Sequence, residues 1–229
     1  MKIYLHEIMR TVPGREEPYM ASVLSVVERP GRRDTADHSR QLGQFRTAET
    51  SGPFPLVINI WEHTWRSQAA ARERQFADAD RDRGMEDWWN RSLHLRRGGY
   101  DRILIPSAYT LDSAGLARAG VRGRVFLHEI LWLPLDAVDD YLTALDQQFM
   151  PLARRFDWQL VGAYRVSHRP RQALVLFALR QWSDLGRLLA ARAHDAELRR
   201  WFDHRDRLVK NLHELLLLPG RMNPLGIRD

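Results

Sequence analysis

Ile3-Tyr4-Leu5-His6-Glu7-Ile8 is matched 122 positions further on by Val125-Phe126-Leu127-His128-Glu129-Ile130. Five more blocks follow in the same order. Tyr19 falls on Tyr141, and Leu42-Gly43-Gln44-Phe45-Arg46 on Val161-Gly162-Ala163-Tyr164-Arg165. Val57-Ile58-Asn59-Ile60-Trp61, up to Trp65, aligns with Leu174-Val175-Leu176-Phe177-Ala178, up to Trp182. Trp88-Trp89 meets Trp201-Phe202, and Ile103-Leu104-Ile105-Pro106 meets Leu216-Leu217-Leu218-Pro219. Ordered blocks with small drifts in offset mark a tandem duplication. The 229 residues therefore divide into a first repeat, 1–110, a linker, 111–123, a second repeat, 124–220, and a tail, 221–229.

Each half carries the same elements. The opening block is β-prone and ends at a turn signal, Pro13-Gly14 or Pro134. A helix follows. In half two Leu135, Val138, Tyr141, Leu142, Leu145 and Phe149 recur at steps of three and four, which gives one apolar face. Pro18 sits in the first turn of the matching helix of half one, where its missing N–H costs little. The Gly43 and Gly162 blocks are second strands, and 56–62 and 173–180 third strands. Ser67 and Asp184 are expected N-caps for helices over 69–79 and 185–193. Tryptophan-bearing helical segments and a short final strand close each half. The order is β-α-β-β-α-β, the ferredoxin-like unit, and the fold class is α+β. Gly115–Arg124 has no sustained period, and Pro30–Arg40 is a polar loop.

Composition excludes more than it suggests. The chain has no cysteine, which removes disulfides, thiolate nucleophiles, zinc–cysteine sites and iron–sulfur clusters. Met1–Arg10 lacks the apolar core of a signal peptide, and no stretch approaches a membrane span, so a soluble cytoplasmic protein with no membrane partner is expected. Net charge is +6, but apart from Lys2 and Lys210 every one of the 35 basic residues is arginine. That bias follows from a GC-rich coding sequence without functional selection. The arginines are also mixed with acids, as in Asp80-Arg81-Asp82-Arg83. No nucleic-acid partner is expected from such a solvated face. There is no P-loop, dinucleotide fingerprint, nucleophile elbow or tight metal-ligand spacing.

The duplicated unit resembles the NIPSNAP-type domain of the dimeric α/β-barrel superfamily. The resemblance rests on a first strand ending near Pro-Gly and a second strand with Gly followed by an aromatic (Gly43 to Phe45, Gly162 to Tyr164). A third strand runs into a tryptophan and an Ala/Arg-rich helix, as in Val57–Trp61 and Ala69–Arg74. A tryptophan-bearing segment and a last strand ending in Pro complete it. The first strand departs from the family pattern: His6 and His128 take an aromatic place, and Met9 and Leu131 take that of an arginine. The role of that arginine is therefore not carried over. Single-repeat members build a barrel by dimerising. A tandem chain is expected to build the same dimeric α/β barrel internally, with a homodimer of barrels allowed but not required.

On a strand, neighbours point to opposite faces, so His6 shares a face with Tyr4 and Ile8, and Glu7 with Leu5 and Met9. The same division holds for His128 and Glu129. With cysteine absent, His6, His63 and His128 are the candidate bases for chemistry near neutral pH, provided a cavity reaches them. The structural alternative is that both halves need the same buried hydrogen bond. On the third strand Asn59, Trp61 and His63 share a face; the aligned half-two residues are Leu176, Ala178 and Arg180. Asn59 and Trp61 are thus candidate substrate contacts, with Glu7 and Glu129, or else Trp61 is core and His63 closes the strand end. Arg46, matched by Arg165, is a candidate carboxylate ligand or an ordinary surface arginine. Trp65, Trp88, Trp182 and Trp201 suit packing better than a ligand box.

The resemblance implies a small-molecule enzyme without cofactor, of monooxygenase, cyclase, isomerase or lyase type, in secondary metabolism (natural-product pathways) or catabolism. Histidine would move the proton, and an anionic or aromatic substrate would bind. Two alternatives remain open. Some two-repeat barrels of the superfamily bind haem through a histidine, and some NIPSNAP-type domains bind ligands without catalysis.

Overall fold

The computed structural model describes residues 1–27, 40–48, 52–76 and 83–227. Half one contains β1 (Lys2–Thr11), α1 (Glu16–Val27), β2 (Arg40–Thr47), β3 (Leu56–Thr64), α2 (Trp65–Phe76), α3 (Arg83–Arg91) and β4 (Arg96–Pro106). A short helix, α4 (Ser113–Arg118), leads into half two. That half contains β5 (Val125–Trp132), α5 (Val138–Ala144), α6 (Met150–Ala153), β6 (Trp158–Val166), β7 (Gln172–Leu179), α7 (Trp182–Arg192), α8 (Ala196–Leu208) and β8 (Asn211–Pro219). A π-helical turn, Leu145–Phe149, joins α5 to α6 and precedes Pro151, whose ring nitrogen has no hydrogen to donate.

The eight strands close into one antiparallel barrel in the order β1-β3-β2-β8-β5-β7-β6-β4. The seams β2–β8 and β4–β6 join the halves, so a single polypeptide makes the dimeric α/β barrel. Alternation along the strands divides the core into three. Tyr4, Ile8, Phe45, Ile60, Phe126, Ile130, Tyr164 and Leu176 fill the interior. Leu5, Met9, Val57 and Trp61 pack outward against Tyr19, Met20 and Trp88 of the half-one helices. Leu127, Leu131, Val175 and Phe177 do the same against Tyr141, Phe149, Trp201 and Phe202 in half two. The two faces of β1 and β5 are those read from the sequence.

Several local expectations are corrected. Ser67 is not an N-cap. It lies inside α2 and exchanges hydrogen bonds with Thr64, Ser67 N donating to Thr64 Oγ1 (3.0 Å) and Thr64 N to Ser67 Oγ (2.9 Å). Asp184 likewise sits inside α7, as the third residue of a capping box with Gln181. Both helices therefore start three to four residues before the expected positions. The final strands are long, and the linker is ordered: Asp112 caps α4, and its Leu116, with Val121 and the tail residue Leu225, joins the interior core. The Ser113 N–H donates to Glu62 at 2.6 Å. Of the polar loop over 30–40, only Arg40 lies within the described residues.

The largest correction concerns register. Glu7 faces Asn59 across β1 and β3, whereas Glu129 faces Val175 across β5 and β7. Asn59 therefore corresponds to Val175, Trp61 to Phe177 and His63 to Leu179, not to Leu176, Ala178 and Arg180. β3 and β7 are buried on both faces along nearly their whole length, so no alternation fixed the alignment.

Candidate functional site

Each half presents a carboxylate on the outer face of its sheet, under its helices. In half one this is Glu7, opposite Asp101 of β4. In half two it is Glu129, opposite Glu214 of β8. Asp101 and Glu214 went unrecognised in the sequence, because only the strand register brings them to the paired positions.

The two carboxylates have different company. Trp61 Nε1–H donates to Glu7 Oε2 at 2.7 Å, and Asn59 Nδ2 donates to the same oxygen at 3.2 Å. Gln44 Nε2 in turn donates to Asn59 Oδ1 at 3.1 Å. Burial pushes the Glu7 carboxyl up to about 7, against the two donors that favour its ionised form. Asn59 and Trp61 are thus committed to Glu7. Half two has Val175 and Phe177 in those places, and neither carries a donor.

Glu129 instead floors a cavity of about 460 Å³ between the sheet and the half-two helices. Leu127, Phe149, Trp158, Phe177, Trp201 and Phe202 form much of its apolar wall, with Tyr141 beside the carboxylate. Phe149, placed by the π turn, stacks on Trp201 with ring centroids 5.2 Å apart. Arg205 Nη1 donates to Glu129 Oε1 at 3.5 Å and lies 3.9 Å from Glu214. Burial pushes Glu129 up to about 8; Arg205 opposes the shift, while Glu214, which also shares a hydrogen bond with it, reinforces it. At 4% exposure the carboxyl therefore favours its protonated form at neutral pH. Burial also keeps Tyr141 a neutral phenol. At the mouth, Arg192 and Arg205 lie over Phe202, 4.4 and 4.8 Å from the ring centroid, and Asp206 bridges them with contacts of 3.1 Å each.

The cavity combines aromatic walls, a proton-bearing carboxyl and a guanidinium. Such a set has the chemistry to hold a flat apolar molecule, to donate a proton to an oxygen or take one from a carbon, and to stabilise an anion.

The histidines lie elsewhere. His6 and His128 are fully buried inside the barrel, where their Nε2 atoms are 2.9 Å apart and their rings stack. Burial, more than the charge of Arg102, keeps both neutral, and His128 lowers His6 further. His63 is buried at the end of β3, its Nδ1 3.4 Å from Ser67 Oγ, and burial lowers it to about 4. None of the three lines the half-two cavity. Arg46 lies on the surface 3.5 Å from Glu17, as Arg165 does 3.2 Å from Asp139. Trp88 and Trp201 are buried, but Trp65 and Trp182 are 42% and 49% exposed and serve neither as core nor as ligand walls. Of the residues weighed in the sequence as site or ligand-box candidates, Glu129 and Trp201 line the cavity. Arg205, which the sequence reading passed over, lies four positions after Trp201 on the same helix face.

No protein-family model matches the chain. No curated protein matches it either. Solved structures do share its fold. A presumed monooxygenase from Lactobacillus acidophilus NCFM superposes with a TM-score of 0.61 at 8% identity, covering 95% of this chain and 93% of that one. A mutant chlorite dismutase from Candidatus Nitrospira defluvii gives 0.51 at 14% identity, covering 96% and 91%. A NIPSNAP family protein from Agrobacterium tumefaciens str. C58 aligns with 44% of this chain and 97% of its own, at 16% identity and a TM-score of 0.40. The first two span nearly the whole of this chain and share its dimeric α/β-barrel fold. Among the described residues, no helix is long and apolar enough to cross a membrane.

Proposed function

We propose that the chain is a small-molecule enzyme whose site is the half-two cavity, and that Glu129 rather than a histidine moves the proton. The observation that carries this reading is the difference between the halves. Glu7 is satisfied by Trp61 and Asn59, while Glu129 faces open apolar space with Arg205 and Glu214 as its polar company. Leaving a carboxyl in such a place costs stability unless something uses it.

The substrate class follows from the lining. Trp158, Trp201, Phe149 and Phe177 suit an aromatic or polycyclic body, and Arg192 and Arg205 at the mouth suit a carboxylate or phenolate on it. With its proton, Glu129 hydrogen-bonds a ketone oxygen and protonates the enolate oxygen; without it, Glu129 takes a proton from the adjacent carbon. Arg205 stabilises the anion in either direction. This chemistry serves a cyclase, isomerase or lyase directly, and a monooxygenase that first converts its substrate to a carbanion. The lining residues contain no histidine, so a histidine-ligated haem does not fit this cavity.

The test is solvent-deuterium exchange into aryl ketones, α-tetralone and 4-acetylbenzoate, followed by NMR, with binding read from quenching of the cavity tryptophans. Exchange above background that is lost in Glu129→Gln supports the reading. Binding without exchange would make the protein a ligand carrier, and exchange unchanged in the variant would move the chemistry elsewhere.

A further inference from the structure

The barrel interior holds a polar group that this function leaves unused. In the layer formed by Ile60, Leu176 and Leu215, β1 and β5 contribute His6 and His128, and β4 contributes Arg102. The register pairs His6 with Arg102 but His128 with Leu215, so half one places a guanidinium where half two has a leucine. Arg102 is 7% exposed. Its Nη2 reaches Tyr100 Oη at 3.5 Å and its guanidinium lies 4.6 Å from that ring centroid, but Nε and Nη1 have no hydrogen-bond partner. Glu62, the carboxylate that β3 turns inward beside Tyr4, is engaged by Lys2 and the Ser113 N–H.

A buried guanidinium with unmade donors and no counter-charge is strongly destabilising. The histidines add to it. In their Nε2···Nε2 bond one ring donates, so the other carries its proton on Nδ1 and presents a further donor there. Both Nδ1 atoms are buried and without a partner from another residue; the contact open to each is with its own main-chain carbonyl. The Nε and Nη1 groups of Arg102 are the unmade donors available to an anion, and the same positive charge disfavours a metal at the histidine pair.

We propose that the barrel interior is an anion-binding site in which Arg102, flanked by His6 and His128, holds a small monovalent anion of halide size. The anion neutralises the guanidinium and ties β4 to β1 and β5, so it acts on the stability of the closed barrel and not on the half-two cavity.

The test uses the full chain freed of halide. Thermal unfolding is followed in sodium bromide and in sodium gluconate at equal ionic strength, for the wild type and for Arg102→Leu, the residue that half two uses. The wild-type midpoint should rise saturably with bromide by about 2–4 °C. The variant should lose that bromide-specific increment, with no loss of basal stability. Equal midpoints in the two salts, or the same bromide increment in the variant, would overturn the proposal. If the variant fails to fold, anomalous scattering from bromide-soaked wild-type crystals decides: a peak within hydrogen-bond reach of Arg102 Nε and Nη1 supports the site, and no peak there refutes it.

Discussion

Glu129 Oε1 lies 3.5 Å from Arg205 Nη1 in the lining of the half-two cavity. Its repeat counterpart Glu7 has both polar neighbours on β3 bound to one oxygen. Duplication gave two copies of one carboxylate, and the third strand decided their fates. Trp61 and Asn59 close off one copy, and Phe177 and Val175 leave the other available.

That contrast predicts the effect of Trp61→Phe, which gives half one the residue of half two. Removing the indole donor leaves Glu7 under-satisfied and should cost about 1–3 kcal/mol. Urea denaturation of Trp61→Phe, Glu7→Gln and the double variant measures the coupling, expected at about 1 kcal/mol or more. Additive effects would show that the Glu7–Trp61 hydrogen bond contributes nothing.

Glu129 should make stability depend on pH between about 4.5 and 8. Its folded pKa of about 8 exceeds the ordinary value of 4.5, so between these limits the folded state holds a proton that the unfolded state has released. The contribution is complete below about 4.5 and is lost as pH rises through about 8. Glu129→Gln should match the wild type at acidic pH and exceed it at pH 9 by on the order of 1–3 kcal/mol. Thermal melts across pH check this, and a constant difference between the two proteins would contradict it.

The histidines act in the opposite sense. His6, His63 and His128 are held below their ordinary value of 6.5 by burial, so the unfolded state takes up protons first as pH falls. Stability from this source is present above about 6.5 and is lost as pH falls below it. Replacing His6 and His128 together by leucine should flatten that acid limb, while replacing one alone strands the other and costs about 1–3 kcal/mol. Neither change should abolish proton exchange at the cavity. Chemical denaturation at pH 5 and 7, with the exchange assay alongside, separates these outcomes.

Gly43 and Gly162 are packing positions in both halves. A Cβ on Gly43 would stand 2.5 Å from the Phe45 ring, and one on Gly162 would collide with the Tyr164 ring. At each position a bulge in the second strand lets the aromatic two residues on lie across the glycine. Gly43→Ala should cost about 1–3 kcal/mol, read from the urea midpoint.

The duplication, the strand order and the faces of β1 and β5 were legible because each is carried by alternation or by matched blocks. The register of β3 against β7 was not. With both faces buried, Leu174–Leu179 offers no polar marker, and matching residue types slid it by one position, which exchanges its two faces. That slip directed attention to Asn59 and Trp61 as substrate contacts, whereas they serve Glu7. Arg205 was hidden among seven other basic residues from Arg187 to Arg221, since composition does not distinguish a guanidinium that folds over Phe202 from one in solvent. The His6–His128 contact spans the interior between opposite strands, a distance that no local pattern encodes.

The most direct test compares Glu129→Gln with Glu7→Gln in the deuterium-exchange assay, using 4-acetylbenzoate as the probe and tryptophan quenching to establish that it binds. The account predicts at least a hundredfold loss of exchange in Glu129→Gln with binding retained, and near wild-type exchange in Glu7→Gln. Full exchange in Glu129→Gln, or a loss confined to Glu7→Gln, would contradict it.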